Sequence, residues 1–193
     1  AMSARKAISV ATEARFARKS GPAARVGGTA QVSGVTVETL RQALFCAKLM
    51  SYTQGFELLA VGSKAHDFAI DRAESARIWT GGCIIRAAFL DRVRAAFTAD
   101  PDLDLLFASA LFAEDIRVGS AALRTVVAQF AQAGLAAPAF AASLSYFETM
   151  TQGRGSAAMI QAQRDYFGAH TYRRVDAPDV AVHTQWADVP KLG

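Results

Sequence analysis

The sequence predicts an all-α chain, a multi-helix domain of about six helices that ends in an extended C-terminal arm. Three observations carry this. Apolar residues recur at helical spacing along most of the chain. Capping residues, glycines and prolines cut that pattern into helix-length pieces. No stretch shows the convincing alternation of a half-buried strand. Residues 1–35 read as an N-terminal segment, partly irregular, 36–172 as the helical domain and 173–193 as an extended tail.

The elements follow in order. Gly21-Pro22 and Gly27-Gly28 interrupt any helix that starts near Glu13. Thr36 is suited to an N-cap, Glu38 sits in the first turn, and Leu40, Leu44, Ala47, Tyr52 and Phe56 keep helical register to about Val61. Asp71 and Glu74 read as the capping box of a second helix. It runs through Trp79, passes or restarts at Gly81-Gly82, and reaches Phe97. Two glycines inside a helix cost about 2 kcal/mol against alanines, so the pair implies either close helix packing or a turn, and packing is the expectation. Pro101 and its flanking aspartates mark a loop. An Ala-rich helix over 110–133 ends at Gly134, in the position where a left-handed residue closes a helix. Pro138 opens a helix to about Met150, Gln152 to Gly155 break the chain, and a last helix covers 156–167. Pro178 and Pro190 keep the tail extended.

Composition narrows the function. With 52% apolar and 20% charged residues the chain can bury a core and is not of the disordered class. Its net charge of +4 is spread out, apart from a patch at Arg5-Lys6, Arg15, Arg18-Lys19 and Arg25. No basic stripe with interleaved aromatics appears, so nucleic acid is not the expected partner. An anionic small molecule uses such charge more economically. No apolar stretch reaches the roughly eighteen residues of a membrane span, and the N-terminus lacks the apolar core of a secretory signal. Cys46 and Cys83 lie in apolar runs with no metal-ligand partner nearby and read as buried free thiols. That fits a cytoplasmic location, and no metal site is expected.

The run from Met159 to Tyr172, MIQAQRDYFGAHTY, sets Arg164 and His170 around an aromatic pair and a glycine. A helix that stops near Gly168 presents both side chains where the chain turns. Arginine offers a planar, permanently charged fork for phosphate or carboxylate, and histidine a group whose charge changes near neutral pH. On spacing alone, an amphipathic helix with a surface arginine and a capping histidine is the commoner account of such a run, since lone Arg and His residues are usually structural.

The run resembles the C-terminal signature of the decarboxylating 6-phosphogluconate dehydrogenases. So do three further blocks in family order: Ala43-Leu44 through Lys48 to Ser51-Tyr52-Thr53-Gln54-Gly55-Phe56; Trp79-Thr80-Gly81-Gly82-Cys83-Ile84-Ile85-Arg86 with Phe89-Leu90; and His183-Thr184-Gln185-Trp186. The resemblance covers about residues 35 to 187. It departs from the family at Thr80, where arginine or lysine is usual, and at Ser156 and Ala158, where proline and asparagine are usual. The last two loosen the entry to the signature helix.

The resemblance implies the C-terminal, all-helical domain of an enzyme of the pentose phosphate pathway. That enzyme oxidises the 3-hydroxyl of 6-phosphogluconate with NADP and releases carbon dioxide to give ribulose 5-phosphate. It implies that Arg164 and His170 bind the substrate phosphate, reaching into the partner's site of a homodimer through the C-terminal arm. Glu13-Ala14-Arg15-Phe16-Ala17-Arg18 is similar to the family's EA-x-FAR, which implies Arg18 as a further phosphate ligand in cis. Gly21-Pro22 follows Arg18 sooner than in the family, so a solvated basic residue is the alternative there. No role follows for Lys48 beyond a stem lying along a packed helix. His66 beside Asp67 reads as an exposed pair, and His183 as a residue that docks the arm. Glu114 and Asp115 point about 100° apart and form no dyad.

No G-x-G-x-x-G unit for a dinucleotide is present, and the family's catalytic lysine and glutamate lie upstream of the matched region. The expectation is a substrate-binding and dimerisation domain with no catalytic residue of its own. It binds no cofactor alone, is inactive in isolation, and depends on NADP bound elsewhere in the full-length enzyme. The alternative is a non-catalytic dimerisation or interaction module derived from the same domain.

Overall fold

The structure, a computed structural model, describes residues 32–188. The chain divides into two compact units, the first up to Leu144 and the second from Ser145. Among the described residues there are six α-helices and one two-stranded sheet. In the first unit lie α1 (Val37–His66), α2 (Arg72–Trp79), α3 (Leu90–Ala99), two short 3-10 turns over Leu106–Ala108 and Ala110–Phe112, and α4 (Ala113–Gln132). The boundary falls within α5 (Pro138–Thr151), and the second unit holds α6 (Ala157–Gly168), β1 (Tyr172–Arg174) and β2 (Ala177–Val182).

Thr36 caps α1 as expected: its hydroxyl accepts from Thr39 N at 3.1 Å, and the Thr39 hydroxyl returns to the Thr36 amide. The helix runs past Val61 to His66, because its left-handed closing residue is Asp67. The exposed His66 ring stacks on Phe68, 5.2 Å between centroids. Asp71 caps α2 by accepting from Glu74 N at 2.9 Å, but the Glu74 carboxylate pairs with Arg77 instead of closing the box.

The core of the first unit is the seam of α1 with α4, closed by α3. Cys46, Leu49, Met50 and Phe56 of α1 are buried with Leu90, Val93 and Phe97 of α3 and Leu123 and Val126 of α4. The Phe56 ring meets Trp79 at 5.1 Å and Phe97 at 4.9 Å, geometries in which aromatic rings attract beyond simple burial. Gly119 lets α4 approach α1. A Cβ built there would stand 2.8 Å from Cys46 Cβ and 3.2 Å from the Gln42 carbonyl oxygen. Burial pushes the Cys46 thiol up to about 11, with Arg124 opposing, so it stays protonated.

Three expectations need correction. Gly81-Gly82 is a turn and not a packing contact: α2 stops at Trp79, Gly82 takes φ +76°, and a Cβ on it would meet nothing within 4 Å. Cys83 just beyond is half-buried, unlike Cys46, because the turn carries it to the edge of the core. The tail is not simply extended. β1 and β2 pair antiparallel, with Tyr172 opposite Val182 and an irregularity between Arg173 and Arg174. Pro178 is compatible with this, since it sits in a two-stranded ribbon where a missing donor is tolerated.

Lys48 lies on α1 with its ammonium 5.0 Å from the centre of the Phe89 ring and 5.8 Å from that of Tyr52. The Tyr52 hydroxyl donates to the Ile85 carbonyl at 2.8 Å, tying the turn after α2 to α1. Lys48 is thus a cation resting on aromatic faces. No described helix is long and apolar enough to cross a membrane.

Candidate functional site

Helix α6 carries the signature run. Ser156 precedes it with no side-chain cap, in keeping with the loosened entry expected from Ser156 and Ala158. The helix closes on Ala169, whose amide donates to the Asp165 carbonyl at 3.0 Å. Ala169 at φ 49° and Thr171 at φ 60° are both left-handed, and His170 stands between them. Each such residue costs on the order of 1–2 kcal/mol without a glycine, and a β-branched one is unusual there. Two side chains one helical turn apart hold the bend. Asp165 Oδ1 accepts from Thr171 N at 2.8 Å, and Gln161 Nε2 donates to the Thr171 carbonyl.

Asp165 does more than this. It is fully buried, and its other three acceptor bonds reach the end of the arm. His183 Nδ1 lies 2.9 Å from Oδ1, while Thr184 N and Trp186 Nε1 each donate to Oδ2 at 3.0 Å. Burial pushes this carboxyl up, but the four hydrogen bonds outweigh it and hold it at about 2. The arm is locked further by the Tyr172 and Thr184 hydroxyls, 2.7 Å apart, and by the Trp186 ring meeting Tyr166 edge-on at 5.7 Å. His183 therefore docks the arm, as its place in the sequence suggested.

Arg164 and His170 are both exposed at this end of α6. Arg164 makes one long bond, from Nη1 to Gln161 Oε1 at 3.4 Å, and pairs with no carboxylate among the described residues. The His170 ring folds back over Gly168, so that a Cβ on Gly168 would stand 2.7 Å from its Cδ2 and 2.8 Å from its Nε2. Phe167 flanks the ring at 6.4 Å. The result is a guanidinium and an imidazole offered to solvent from a held frame, suited to an anionic group with several acceptor oxygens. Arg18, the third expected ligand, lies outside the described residues.

Elsewhere, a cleft of about 380 Å³ in the first unit is lined by residues that include Arg41, Arg92, Glu114 and Asp115. Its charges are already matched: Arg92 with Asp115, Arg41 with Glu38, Glu114 with Arg117. Among the described residues that line it, no charged group is left without a partner. No group of three or more potential metal ligands occurs among the described residues.

Residues 1–186 match the family model for the 6-phosphogluconate dehydrogenase C-terminal domain. The chain belongs to that family. It is 46% identical over 155 residues to 6-phosphogluconate dehydrogenase, decarboxylating 2, chloroplastic, of Oryza sativa subsp. japonica, covering 80% of this chain and 30% of that protein. It is 43% identical over 159 residues to the decarboxylating 6-phosphogluconate dehydrogenase of Treponema pallidum (strain Nichols), covering 82% and 33%. Among solved structures it resembles a Plasmodium falciparum 6-phosphogluconate dehydrogenase, described in its apo form and in complexes with its cofactor NADP+ and its substrate 6-phosphogluconate. The TM-score is 0.76 at 37% identity, over 96% of this chain and 38% of that one. The chain thus spans about a third of the length of the curated relatives it matches.

In this 6-phosphogluconate dehydrogenase C-terminal domain, sequence reasoning picked out Arg164 and His170 but missed what holds the bend that carries His170. Asp165, Gly168 and Thr171 lie inside the same motif. The signal was the one acidic residue of that run, with a His-Thr-x-Trp block downstream whose His183 was expected to dock the arm but whose Trp186 donor had no assigned acceptor.

Proposed function

We propose that this chain forms the substrate-binding and dimerisation part of a decarboxylating 6-phosphogluconate dehydrogenase, with Arg164 and His170 binding the phosphate of 6-phosphogluconate. The single observation that carries this is the exposed guanidinium of Arg164, which pairs with no carboxylate among the described residues and shares the end of α6 with a histidine on a bend held by the buried Asp165. A dianionic phosphate supplies the acceptors that this pair lacks. The reaction itself needs the 3-hydroxyl oxidised to a ketone, which then lies β to the carboxylate and accepts the electrons of the breaking C–C bond. Binding energy at the remote phosphate orients the sugar acid for both steps.

The described residues do not fit NADP. Their two strands form an antiparallel ribbon, and no parallel strand, glycine-rich turn and helix sequence is there to cradle a pyrophosphate. NADP and the groups that move protons are assigned to a part of the enzyme outside these residues.

The same helix supports dimerisation. Met159, Tyr166 and Phe167 are 75%, 68% and 73% exposed, large apolar groups that a second subunit would cover. With the arm crossing, Arg164 and His170 would complete the partner's site. A non-catalytic dimerisation module would use the same apolar face but has no need of the exposed arginine.

The test is kinetic. In a complete dehydrogenase in which this chain forms the C-terminal part, Arg164→Ala should raise KM for 6-phosphogluconate about 10- to 100-fold, as expected for losing charge-assisted bonds. An unchanged KM would remove the phosphate role.

A further inference from the structure

The bend that carries His170 has no conformational reason to exist by itself. Two non-glycine residues in the left-handed region flank the histidine, one of them β-branched. Strain of this kind persists only where surroundings over-determine it. The surroundings here converge on one side chain. Asp165 follows Arg164 directly in α6 but is fully buried where Arg164 is exposed. Oδ1 takes the Thr171 amide at 2.8 Å and His183 Nδ1 at 2.9 Å; Oδ2 takes the Thr184 amide and the Trp186 indole, each at 3.0 Å. All four donors come from beyond the helix, six to twenty-one residues later in the chain.

We infer that Asp165 is the positioning residue of the phosphate-binding end: one carboxylate pins the strained bend that presents His170 and fastens the far end of the arm against the same helix turn that presents Arg164. This rests on the phosphate reading above. The chemistry requires a carboxylate. Two oxygens with two acceptor sites each satisfy four donors. An amide of the same shape offers one oxygen, and its NH2 group would face two N–H donors. Asparagine at this position therefore leaves buried donors without acceptors and releases either the bend or the arm. The burial matters for a second reason. Saturated by four donors and shut away from solvent, the negative charge is not offered to an incoming phosphate.

The experiment compares Asp165→Asn with Arg164→Ala in a complete dehydrogenase in which this chain forms the C-terminal part, measuring KM for 6-phosphogluconate and kcat separately. Asp165→Asn should raise KM about tenfold or more, as a displaced ligand does, and hold kcat within about twofold, because the phosphate contact serves ground state and transition state alike. A residue needed only for folding would lower the active fraction, reducing kcat at unchanged KM, and that result overturns the proposal. A raised KM in Arg164→Ala with an unaltered KM in Asp165→Asn overturns the positioning role alone. Unaltered KM in both overturns the phosphate reading beneath it. Should Asp165→Asn fail to fold, His183→Ala and Trp186→Phe each remove a single donor and should each raise KM about threefold; wild-type KM in both would equally overturn the proposal.

Discussion

Gly168 separates fold from function at a single atom. It is the last residue of α6, and the space its missing side chain leaves is filled by the His170 ring. Replacing it with alanine would put a methyl group 2.7 Å from Cδ2 and 2.8 Å from Nε2, where carbon contacts settle near 3.5–4.0 Å. The obstacle is an exposed side chain and not backbone, so the ring swings away by about 1 Å at little cost to the fold. Alanine also favours helix over glycine by up to about 1 kcal/mol. A chain of this size gains or loses roughly 2–4 °C in melting temperature per kcal/mol. Gly168→Ala should therefore melt within a few degrees of wild type, or slightly above it. Its substrate binding should suffer, since about 1 Å of misplacement at a binding group can cost on the order of 100-fold. The assay pairs a thermal melt of the variant with KM for 6-phosphogluconate in a complete enzyme. A KM equal to wild type refutes the claim that the folded-back ring is the binding conformation. A melt lowered by ten degrees or so refutes the claim that the ring is free to move.

Gly119→Ala makes the opposite case. Its Cβ would meet Cys46 Cβ at 2.8 Å and the Gln42 carbonyl at 3.2 Å, both fixed on α1, so the helices must part, and a loss of about 1–3 kcal/mol is expected in chemical denaturation. The Asp165 carboxyl, held at about 2, lies below the usual carboxylate range near 4. Its folded value is the lower one, so its contribution to stability is full above about pH 4 and fades as pH falls from 4 towards 2. Denaturation midpoints of wild type and Asp165→Asn should thus converge over that window, and a gap that stays constant to pH 2 contradicts the assignment.

Much of the fold was legible because its determinants are local. Thr36 and Asp71 start helices through their own side chains, Gly134 takes φ +69° directly after α4, and Pro138 opens α5. What failed was whatever a distant partner decides. A glycine chosen for its backbone angle, such as Gly82, looks the same in sequence as one chosen for contact, such as Gly119, so sequence alone cannot tell the turn at 81–82 from the close approach at 119. The β1–β2 ribbon is too short and too solvent-exposed to show alternation. The chain on either side of the ribbon is fastened to Asp165, through the Thr171 amide before β1 and the Thr184 amide after β2, and the Tyr172 and Thr184 hydroxyls join the two sides. In the candidate site, motif chemistry exposed the two groups that face solvent. The buried carboxylate that holds the bend between them and the arm is an ordinary helical aspartate until the fold brings four donors to it.

If the proposed role is right, Arg164 reads the phosphate and no other group of the substrate. The most direct measurement is a cycle that removes the phosphate from each side in turn: kcat/KM for 6-phosphogluconate and for gluconate, in a complete enzyme and in its Arg164→Ala variant. Arg164→Ala should lower kcat/KM for 6-phosphogluconate about 10- to 100-fold while leaving that for gluconate unchanged. Equal losses for both substrates would contradict it, and would assign Arg164 to the fold instead of the phosphate.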